Sequence, residues 1–234
     1  MKLNLLDIPL YYINLDRDVE KKNKTESLLR ELGFRNAYRF PGVPHNDKIT
    51  GCALSHYHIL RQAKPPFIIL EDDCELYGEF KSEIDIPDDT DALYLGISHW
   101  GRYLNHSGPY VHIDPVKDGI VRVYNMLATH AIMYLSNPYV DICRRIGYHY
   151  GCDVNGHLDS GFAEVHKLFK VYAFDEPIFK QSDWSSITSG KLSSFAYNKE
   201  SGDRLFKDAR SSITHLNIKD VNGNSGYFLP ERLI

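Results

Sequence analysis

Short apolar runs alternate with longer amphipathic stretches along the first half of the chain, a pattern typical of β-strands followed by helices. The run Leu10–Asn14 predicts a buried strand. The spacing of apolar residues over Val19–Leu32 predicts a helix that begins after Asp18 and stops at Gly33, a residue suited to helix ends. These elements form a first βα unit.

The pattern then repeats with a stronger strand. Ala37–Phe40 predicts a short strand, and Pro41–Lys48 reads as a loop before a second predicted helix, Gly51–Ala63. Phe67–Leu70 is a run of four apolar residues that ends at the acidic triplet Glu71-Asp72-Asp73. A short, fully apolar run of this kind predicts a central parallel strand.

The second half has a more mixed pattern. Asp118-Gly119 indicates a hairpin turn, and after Gln181 small polar and charged residues predict a loop-rich stretch over Ser182–Arg210. Strands are predicted at Ala92–Leu95, Tyr110–Ile113, Ile120–Tyr124, Met126–Leu135 and Val171–Phe174, and helices at Pro138–Ile146 and Asp159–Leu168. The whole pattern predicts an α/β fold, one domain with a mixed central sheet.

Composition narrows the class of protein. Hydrophobic residues make up 43% and charged residues 25% of the 234, which excludes a disordered, collagenous or membrane-spanning chain. With 27 Lys and Arg against 31 Asp and Glu the net charge is −4, which argues against non-specific nucleic-acid binding. Asp7 and Pro9 interrupt the N-terminal apolar stretch, so we expect no signal peptide and no transmembrane segment.

Cysteine and histidine spacing gives no metal or redox motif. No pair among Cys52, Cys74, Cys143 and Cys152 has C-x-x-C spacing, so reduced thiols and a cytoplasmic location are expected. The eleven His show no H-E-x-x-H or paired zinc spacing, which argues against a zinc site. P-loop, dinucleotide-binding and nucleophile-elbow motifs are also missing from the sequence.

The acidic triplet Glu71-Asp72-Asp73 is the sharpest chemical feature. Ligands of open α/β sheets bind outside the carboxyl ends of the strands, where this triplet falls. Three adjacent carboxylates repel one another unless a cation compensates, and Mg²⁺ or Mn²⁺ needs few protein carboxylates when phosphates supply other ligands. The triplet therefore predicts a metal–diphosphate site, with a solvated acidic loop as the alternative.

Two further sites have both a functional and a structural interpretation. Gly51 is a candidate helix start whose N–H groups favour anions, and Ser55 and His56 follow one turn later, although a helical His is commonly a partly buried structural residue. Asp153 and Asp159 flank a turn before a helix. Either is a candidate N-cap, and Asp159 is alternatively a general base.

Taken together, three ordered motifs resemble glycosyltransferase family 25, which includes lipopolysaccharide-biosynthesis and procollagen galactosyltransferases. They are Tyr12-Ile13-Asn14-Leu15-Asp16-Arg17, Gly51-Cys52-Ala53-Leu54-Ser55-His56 and Ile69-Leu70-Glu71-Asp72-Asp73. Weaker similarities follow at Leu93–Gly96, Thr129–Ser136, Asp159 and Pro177–Ile187. The resemblance spans about residues 10–188.

The resemblance implies a GT-A type fold, a UDP-sugar donor, Mn²⁺ or Mg²⁺, and inverting transfer of a sugar, galactose or glucose, to a hydroxyl of a glycan, lipid-linked or protein acceptor. It implies metal ligation by Glu71 and Asp73 and makes Asp159 the catalytic base. Donor contacts are implied for Asn14, Leu15, Asp16, Arg17, Ser55, His56 and Asp72. On this basis residues 1–188 form the transferase domain, and residues 189–234 form a loop-rich extension packed on it.

The chain also departs from the family pattern. Lys48-Ile49-Thr50 stands where family members often have Gly-Glu ahead of the Gly-Cys pair, and Ser98–Gly119 and the tail after Thr188 carry no family motif. The acceptor is therefore open. Two alternatives are a non-catalytic nucleotide- or glycan-binding module with the same fold and a metal-dependent phosphohydrolase built on the acidic triplet.

Overall fold

The computed structural model of the chain describes residues 1–103, 106–153, 156–183 and 185–194. The side chains of residues 103, 153, 185 and 186 are not among the described parts. Most of the loop-rich stretch predicted from Ser182 to Arg210, nearly all of the extension 189–234 and the side chain of Asp153 lie outside the described residues. The proposed domain division therefore stays a prediction.

Strands and helices alternate as the sequence predicts. The strands are β1 Lys2–Asn4, β2 Leu10–Asn14, β3 Ala37–Pro41, β4 Phe67–Glu71, β5 Cys74–Leu76, β6 Glu83–Asp85, β7 Ala92–Tyr94, β8 Gly101–Tyr103, β9 His106–Gly108, β10 Ile113–Lys117, β11 Ile120–Val123, β12 Ala131–Tyr134, β13 Val171–Phe174 and β14 Phe179–Gln181. The helices are α1 Val19–Glu31, α2 Lys48–Gln62, α3 Asn137–Tyr148, α4 Leu158–Val165 and α5 Ser185–Thr188. A π-helical turn, His149–Asp153, follows α3.

Eight strands of the described residues form one mixed sheet in the order β10-β11-β13-β7-β12-β4-β2-β3. Strands β3, β2 and β4 are parallel, β12 runs antiparallel between β4 and β7, and β13 is parallel to β7. The predicted fold class, α/β with a mixed central sheet, is thereby confirmed, and the arrangement is consistent with the GT-A type.

Strand β4 has apolar side chains on both faces because both faces are covered. Phe67 and Ile69 belong to one core cluster, which also holds residues of α2 and α3 such as Ile59 and Tyr139. Ile68 and Leu70 belong to the other cluster, on the side of α1. Their alternation follows from the two-residue period of a strand.

The direction of the strands brings the candidate site residues to one edge of the main sheet. β2, β4, β7 and β13 run the same way, so Asn14 and Glu71, the last residues of β2 and β4, end at the same edge of the sheet. The short pair β5–β14 extends this edge, since Gln181 is paired with Cys74 next to the acidic triplet. The β4–β12 pairing brings the residues before β12 to the same place.

Several element bounds differ from the sequence prediction. Helix α2 begins at Lys48 instead of Gly51 because Asp47 caps it, its carboxylate accepting hydrogen bonds from the backbone N–H groups of Ile49 and Thr50. The predicted anion site at a Gly51 helix start is therefore wrong: the Gly51 N–H donates to the Asp47 carbonyl inside the helix.

Other bounds shift by a few residues. The predicted hairpin forms around Gly119, but its first strand begins at Ile113, and the strand predicted over Met126–Leu135 covers only Ala131–Tyr134. Helix α1 ends one residue early, before Leu32, and Gly33 has the left-handed φ of +89° that favours glycine.

Candidate functional site

A cleft of about 400 Å³ opens at the carboxyl edge of β2 and β4. Its walls come from the segment after β2, the start of α1, the loop before α2, one face of α2 and the end of β4. The lining residues are Ile13, Leu15, Arg17, Asp18, Lys21, Gly42, Val43, His45, Lys48, Gly51, Cys52, Ser55, Glu71 and Asp72. The cleft thus combines cationic side chains with two of the three predicted acids.

Glu71 is held as an anion by two neighbours. Its Oε1 lies 3.1 Å from His56 Nε2 and accepts a hydrogen bond from Thr129 Oγ1 at 2.7 Å. Burial raises the pKa of the Glu71 carboxyl, but the hydrogen bonds from His56 and Thr129 outweigh burial and lower it below its ordinary value. His56 itself is fully buried, so it lies beneath Glu71 and does not line the cleft.

Asp72 faces the cleft and is anchored from below. Its Oδ2 accepts a hydrogen bond from Asn14 Nδ2 at 2.6 Å, and Lys21 Nζ lies 3.7 Å from its Oδ1. Asn14 is only 1% exposed and also accepts a hydrogen bond from Arg39 Nε at 3.0 Å. Burial raises the pKa of Asp72, and the hydrogen bond from Asn14 partly offsets this rise.

Asp73 is the acid with the least compensation. Burial, followed by the charge of Glu71, raises its pKa to about 7. Its Oδ2 accepts one long hydrogen bond, 3.3 Å, from Gln181 Nε2, and its Oδ1 is buried with no hydrogen-bond partner among the described residues. A buried carboxylate oxygen without a partner fits a cation ligand, because buried charges are otherwise paired.

Asp159 lies in the first turn of α4, next to the acids. The N-cap of α4 is His157, so the interpretation of Asp159 as the cap is wrong. Burial raises the pKa of the Asp159 carboxyl, and the charge of Glu71 raises it further, which places the two groups within electrostatic range. Its Oδ1 is buried without a partner in the described part of the chain.

Cys52 lies among these carboxylates, a position that the sequence analysis did not assign. Burial raises the pKa of its thiol, and so do the charges of Glu71, Asp159 and Asp73, in that order. Cys52, His56 and Glu71 each offer a ligand atom, and these atoms lie within 4.8 Å of one another. The spacing Cys52-x-x-x-His56 on one helix face is the sequence signal for this group, and it differs from C-x-x-C, H-E-x-x-H and paired zinc spacing.

The structure distributes the predicted site residues unevenly. Leu15, Arg17, Ser55, Glu71 and Asp72 line the cleft. Asn14 and His56 are buried beneath it. Asp73 and Asp159 are half-buried and outside the lining, and each has a buried Oδ1 atom.

Asp16 and Ser55 have other partners. The Asp16 side chain is 82% exposed and pairs with Arg39 Nη2 at 2.6 Å, outside the lining of the cleft. Ser55 Oγ accepts a hydrogen bond from the Val43 N–H at 2.8 Å and donates one to the Gly51 carbonyl at 2.7 Å. Its hydroxyl therefore fixes the loop to α2.

Sequence reasoning missed several cleft residues. Lys21, His45 and Lys48 line the cleft, and Gln181 contacts Asp73 from 108 residues away. Asp47 is the N-cap of α2, so Lys48 is the first residue of the helix. An Asp three residues before Thr50 is the sequence signal for this cap. Gln181 belongs to the weak family similarity over Pro177–Ile187, which assigned no role to it.

The arrangement suits a ligand that is both anionic and metal-bound. Arg17, Lys21 and Lys48 bring positive charge to the cleft, and Glu71 and Asp73 are carboxylates, the group that hard cations prefer as ligands. Asp159 offers a half-buried carboxylate whose pKa is raised by burial, a change that increases its strength as a general base.

Comparisons with known proteins add little. No family model matches the chain, and no curated protein matches it. Among solved structures, the chain is similar to a glycosyltransferase involved in the glycosylation of the major capsid of PBCV-1, with 12% identity and a TM-score of 0.42. The match covers 64% of this chain and 72% of that chain. A likeness at this level does not define a family or a function.

Two further observations concern the cysteines and the helices. The four cysteines form no disulfide bond with one another, as expected for reduced thiols. Within the described ranges, no helix is both long and apolar enough to cross a membrane.

Proposed function

We propose that this protein is a metal-dependent inverting glycosyltransferase of the family 25 type, which moves galactose or glucose from a UDP-sugar to a hydroxyl of a glycan, lipid-linked or protein acceptor. The observation that carries the proposal is the buried Oδ1 of Asp73, which has no hydrogen-bond partner among the described residues and lies beside Glu71 in sequence, at the end of a cleft lined by Arg17, Lys21 and Lys48. The ordered sequence motifs that resemble the family all meet at this cleft.

The donor occupies the cleft in this proposal. Arg17, Lys21 and Lys48 attract the diphosphate, and Asp72 and the segment after Asn14 border the nucleoside. Asn14 fixes Asp72 through its 2.6 Å hydrogen bond, so removal of Asn14 disturbs the donor site without removing a charge.

Glu71 and Asp73 hold the divalent cation. The unpartnered Oδ1 of Asp73 fits this role, as does the pKa near 7, because a nearby cation favours the ionised carboxylate. Bound Mn²⁺ or Mg²⁺ neutralises charge on the departing diphosphate. His56 and Thr129 keep Glu71 ionised and oriented.

Asp159 accepts the proton of the acceptor hydroxyl. The hydroxyl oxygen then forms a bond to the anomeric carbon, the bond from that carbon to the diphosphate oxygen breaks, and UDP leaves. In-line attack from the opposite face inverts the anomeric configuration. Burial raises the pKa of Asp159, which increases its strength as a base.

The test is UDP release from a panel of UDP-sugars, with Mn²⁺ and with a chelator. We expect slow, Mn²⁺-dependent hydrolysis of one donor, reduced on the order of 10³-fold or more in Asp73→Ala. Asp159→Asn is expected to lower release while UDP still binds. Asp141→Ala is the matched control, since Asp141 is an exposed acid paired with Arg144 on α3.

Other outcomes identify the alternatives. Full activity of Asp73→Ala would refute the assigned metal site. Binding of UDP without release from any donor, in the presence of acceptor glycans, favours the non-catalytic module. Phosphate release from simple phosphoesters without a sugar nucleotide favours the phosphohydrolase.

A further inference from the structure

We propose that Cys52, His56 and Glu71 form a second kind of cation site, one that binds a borderline-soft divalent ion such as Zn²⁺ at the inner end of the cleft. The site does not depend on sugar transfer, since it is defined by the protein's own donor atoms. It shares Glu71 with the proposed donor-metal site and adds a sulfur and a nitrogen donor.

The geometry of the three residues supports a common ligand. Cys52 and His56 are four residues apart on α2, so they lie on one face of the helix, and Glu71 ends the adjacent strand β4. Their potential ligand atoms lie within 4.8 Å of one another. Zinc bonds of about 2.0–2.3 Å in a tetrahedron separate ligand atoms by about 3.3–3.8 Å, so closing the set requires shifts of about 1 Å.

Acids line the same part of the molecule. Cys52 and Glu71 line the cleft together with Asp72, and Asp73, the next residue, has a buried Oδ1 without a partner among the described residues. Buried charge in proteins is generally paired or bound to a metal, and a cation held by Cys52, His56 and Glu71 would offset this negative charge.

His56 is buried and only partly hydrogen-bonded. Its ring is fully buried, Nε2 lies 3.1 Å from Glu71 Oε1, and Nδ1 has no hydrogen-bond partner within the described part of the chain. Metal ligation through Nε2 replaces the present contact with Glu71, and the ring proton of the neutral imidazole then resides on Nδ1.

The donor set predicts the preferred ion. Thiolate and imidazole favour Zn²⁺ and Co²⁺ over Mg²⁺ and Mn²⁺, which prefer oxygen ligands. The Cys52 thiol gives up its proton to solvent as its sulfur binds the metal, so one proton is released for each ion bound. Because Glu71 belongs to both sites, Zn²⁺ is expected to compete with Mn²⁺ for this carboxylate.

The test is a titration of the metal-free full-length protein with Co²⁺, without any nucleotide. A cobalt–thiolate bond gives a sulfur-to-metal charge-transfer band in the near ultraviolet. We expect one Co²⁺ per chain with this band, and displacement of the ion by Zn²⁺ but not by an equal concentration of Mn²⁺.

Matched cysteine variants locate the site. Cys52→Ser is nearly isosteric and is expected to abolish the band and to weaken Zn²⁺ binding on the order of 100-fold, whereas Cys152→Ser, which changes an exposed cysteine, is expected to keep both. Far-ultraviolet circular dichroism checks that both variants are folded. Zinc is also expected to raise the melting temperature of the wild type and of Cys152→Ser, but not of Cys52→Ser.

The opposite results overturn the proposal. A wild-type protein that binds Co²⁺ without a sulfur band, or not at all, excludes Cys52 as a ligand. A band that survives in Cys52→Ser places any thiolate site elsewhere. Both results are independent of UDP release, so failure of the zinc site and failure of the proposed transferase activity are distinguishable.

Discussion

The carboxyl group of Asp73 differs from those of its two neighbours in what surrounds it. Glu71 accepts hydrogen bonds from His56 and Thr129, and Asp72 accepts one from Asn14, but Asp73 has only a long contact with Gln181. Burial and the charge of Glu71 therefore raise the Asp73 pKa to about 7 from an ordinary value of 3.8. The three adjacent acids thus have three different electrostatic environments.

This shift predicts a pH-dependent stability of the metal-free protein. Between about pH 4 and pH 7 the folded state holds a proton on Asp73 that the unfolded state releases, so the contribution of Asp73 to the free energy of unfolding falls as the pH rises through this window. Asp73→Asn removes this dependence. Relative to Asp73→Asn, the wild type is expected to lose a few kcal/mol between pH 4.5 and pH 8.

Urea unfolding in the presence of a chelator, at several pH values, measures this difference. Asp141→Asn serves as the control, because Asp141 is 61% exposed and is expected to show no such relative slope. A constant difference between the wild type and Asp73→Asn across this range would show that Asp73 is not buried as described. Added Mn²⁺ is expected to flatten the slope of the wild type.

At the scale of elements, the start of helix α2 forms one wall of the cleft. Asp47 accepts hydrogen bonds from the N–H groups of Ile49 and Thr50 and from Thr50 Oγ1, and the hydrogen bond from the Thr50 side chain is the largest cause that lowers the Asp47 pKa. Asp18, the N-cap of α1, makes no side-chain capping bond. Both helices thus have an Asp at the N-cap, but only the carboxylate of Asp47 accepts capping hydrogen bonds.

The contrast gives a matched prediction. Asp47→Ala is expected to destabilise the protein measurably, because two backbone donors of α2 lose their acceptor, whereas Asp18→Ala is expected to change stability less. Thermal unfolding at neutral pH compares the two variants. The stabilisation from Asp47 is expected to decline as the pH falls below its ordinary pKa and to be lost below the lowered pKa of the folded state, where the carboxyl is protonated. Equal effects of both substitutions would contradict the capping assignment.

Local patterns in the sequence predicted the elements well, and they predicted the contacts between elements poorly. The four apolar residues Phe67–Leu70 identified a central strand because both of its faces are covered. The sequence pattern placed the start of α2 at Gly51, whereas the structure places it at Lys48, because Asp47 provides the cap.

Site contacts depend on strand register, which one sequence does not reveal. The β5–β14 pairing brings Gln181 to Asp73 across 108 residues, and the β4–β12 pairing sets Thr129 beside Glu71. The motif resemblance brought the acids and Asp159 into one hypothesis, but it assigned no role to Cys52, which belongs to the second motif. Asp16, in the same motif as Asn14, is turned outward toward Arg39.

On the scale of the whole molecule, the lining of the cleft is less negative than the chain. The net charge of the chain is −4, whereas three cations in the lining, Arg17, Lys21 and Lys48, balance its three acids, Asp18, Glu71 and Asp72. An anionic ligand that reaches these cations therefore meets local positive charge in an otherwise acidic protein. This attraction is screened by salt over a distance of about 10 Å at 0.1 M ionic strength.

We therefore expect UDP to bind more weakly as salt rises, in the presence of Mn²⁺. Lys48→Ala is expected to lower the affinity by roughly 1 kcal/mol, or about fivefold, and to reduce the salt dependence. Lys170→Ala is the control, since Lys170 is an exposed lysine near Asp89 and does not line the cleft. Equal losses in both variants would indicate a general charge effect instead of a phosphate contact.

The central claim is that the acids at the end of β4 and the adjoining cleft form one metal-dependent site for a nucleoside diphosphate. Calorimetric titration of UDP into the protein, with Mn²⁺ and with a chelator, for the wild type and for Asp73→Ala, tests it most directly. We predict 1:1 binding to the wild type that weakens at least about tenfold, or ~1.4 kcal/mol, when either Mn²⁺ or the Asp73 carboxylate is removed. The assignment of this site would be contradicted if removal of Mn²⁺ and removal of the Asp73 carboxylate both left the affinity for UDP unchanged, or if UDP did not bind in the presence of Mn²⁺.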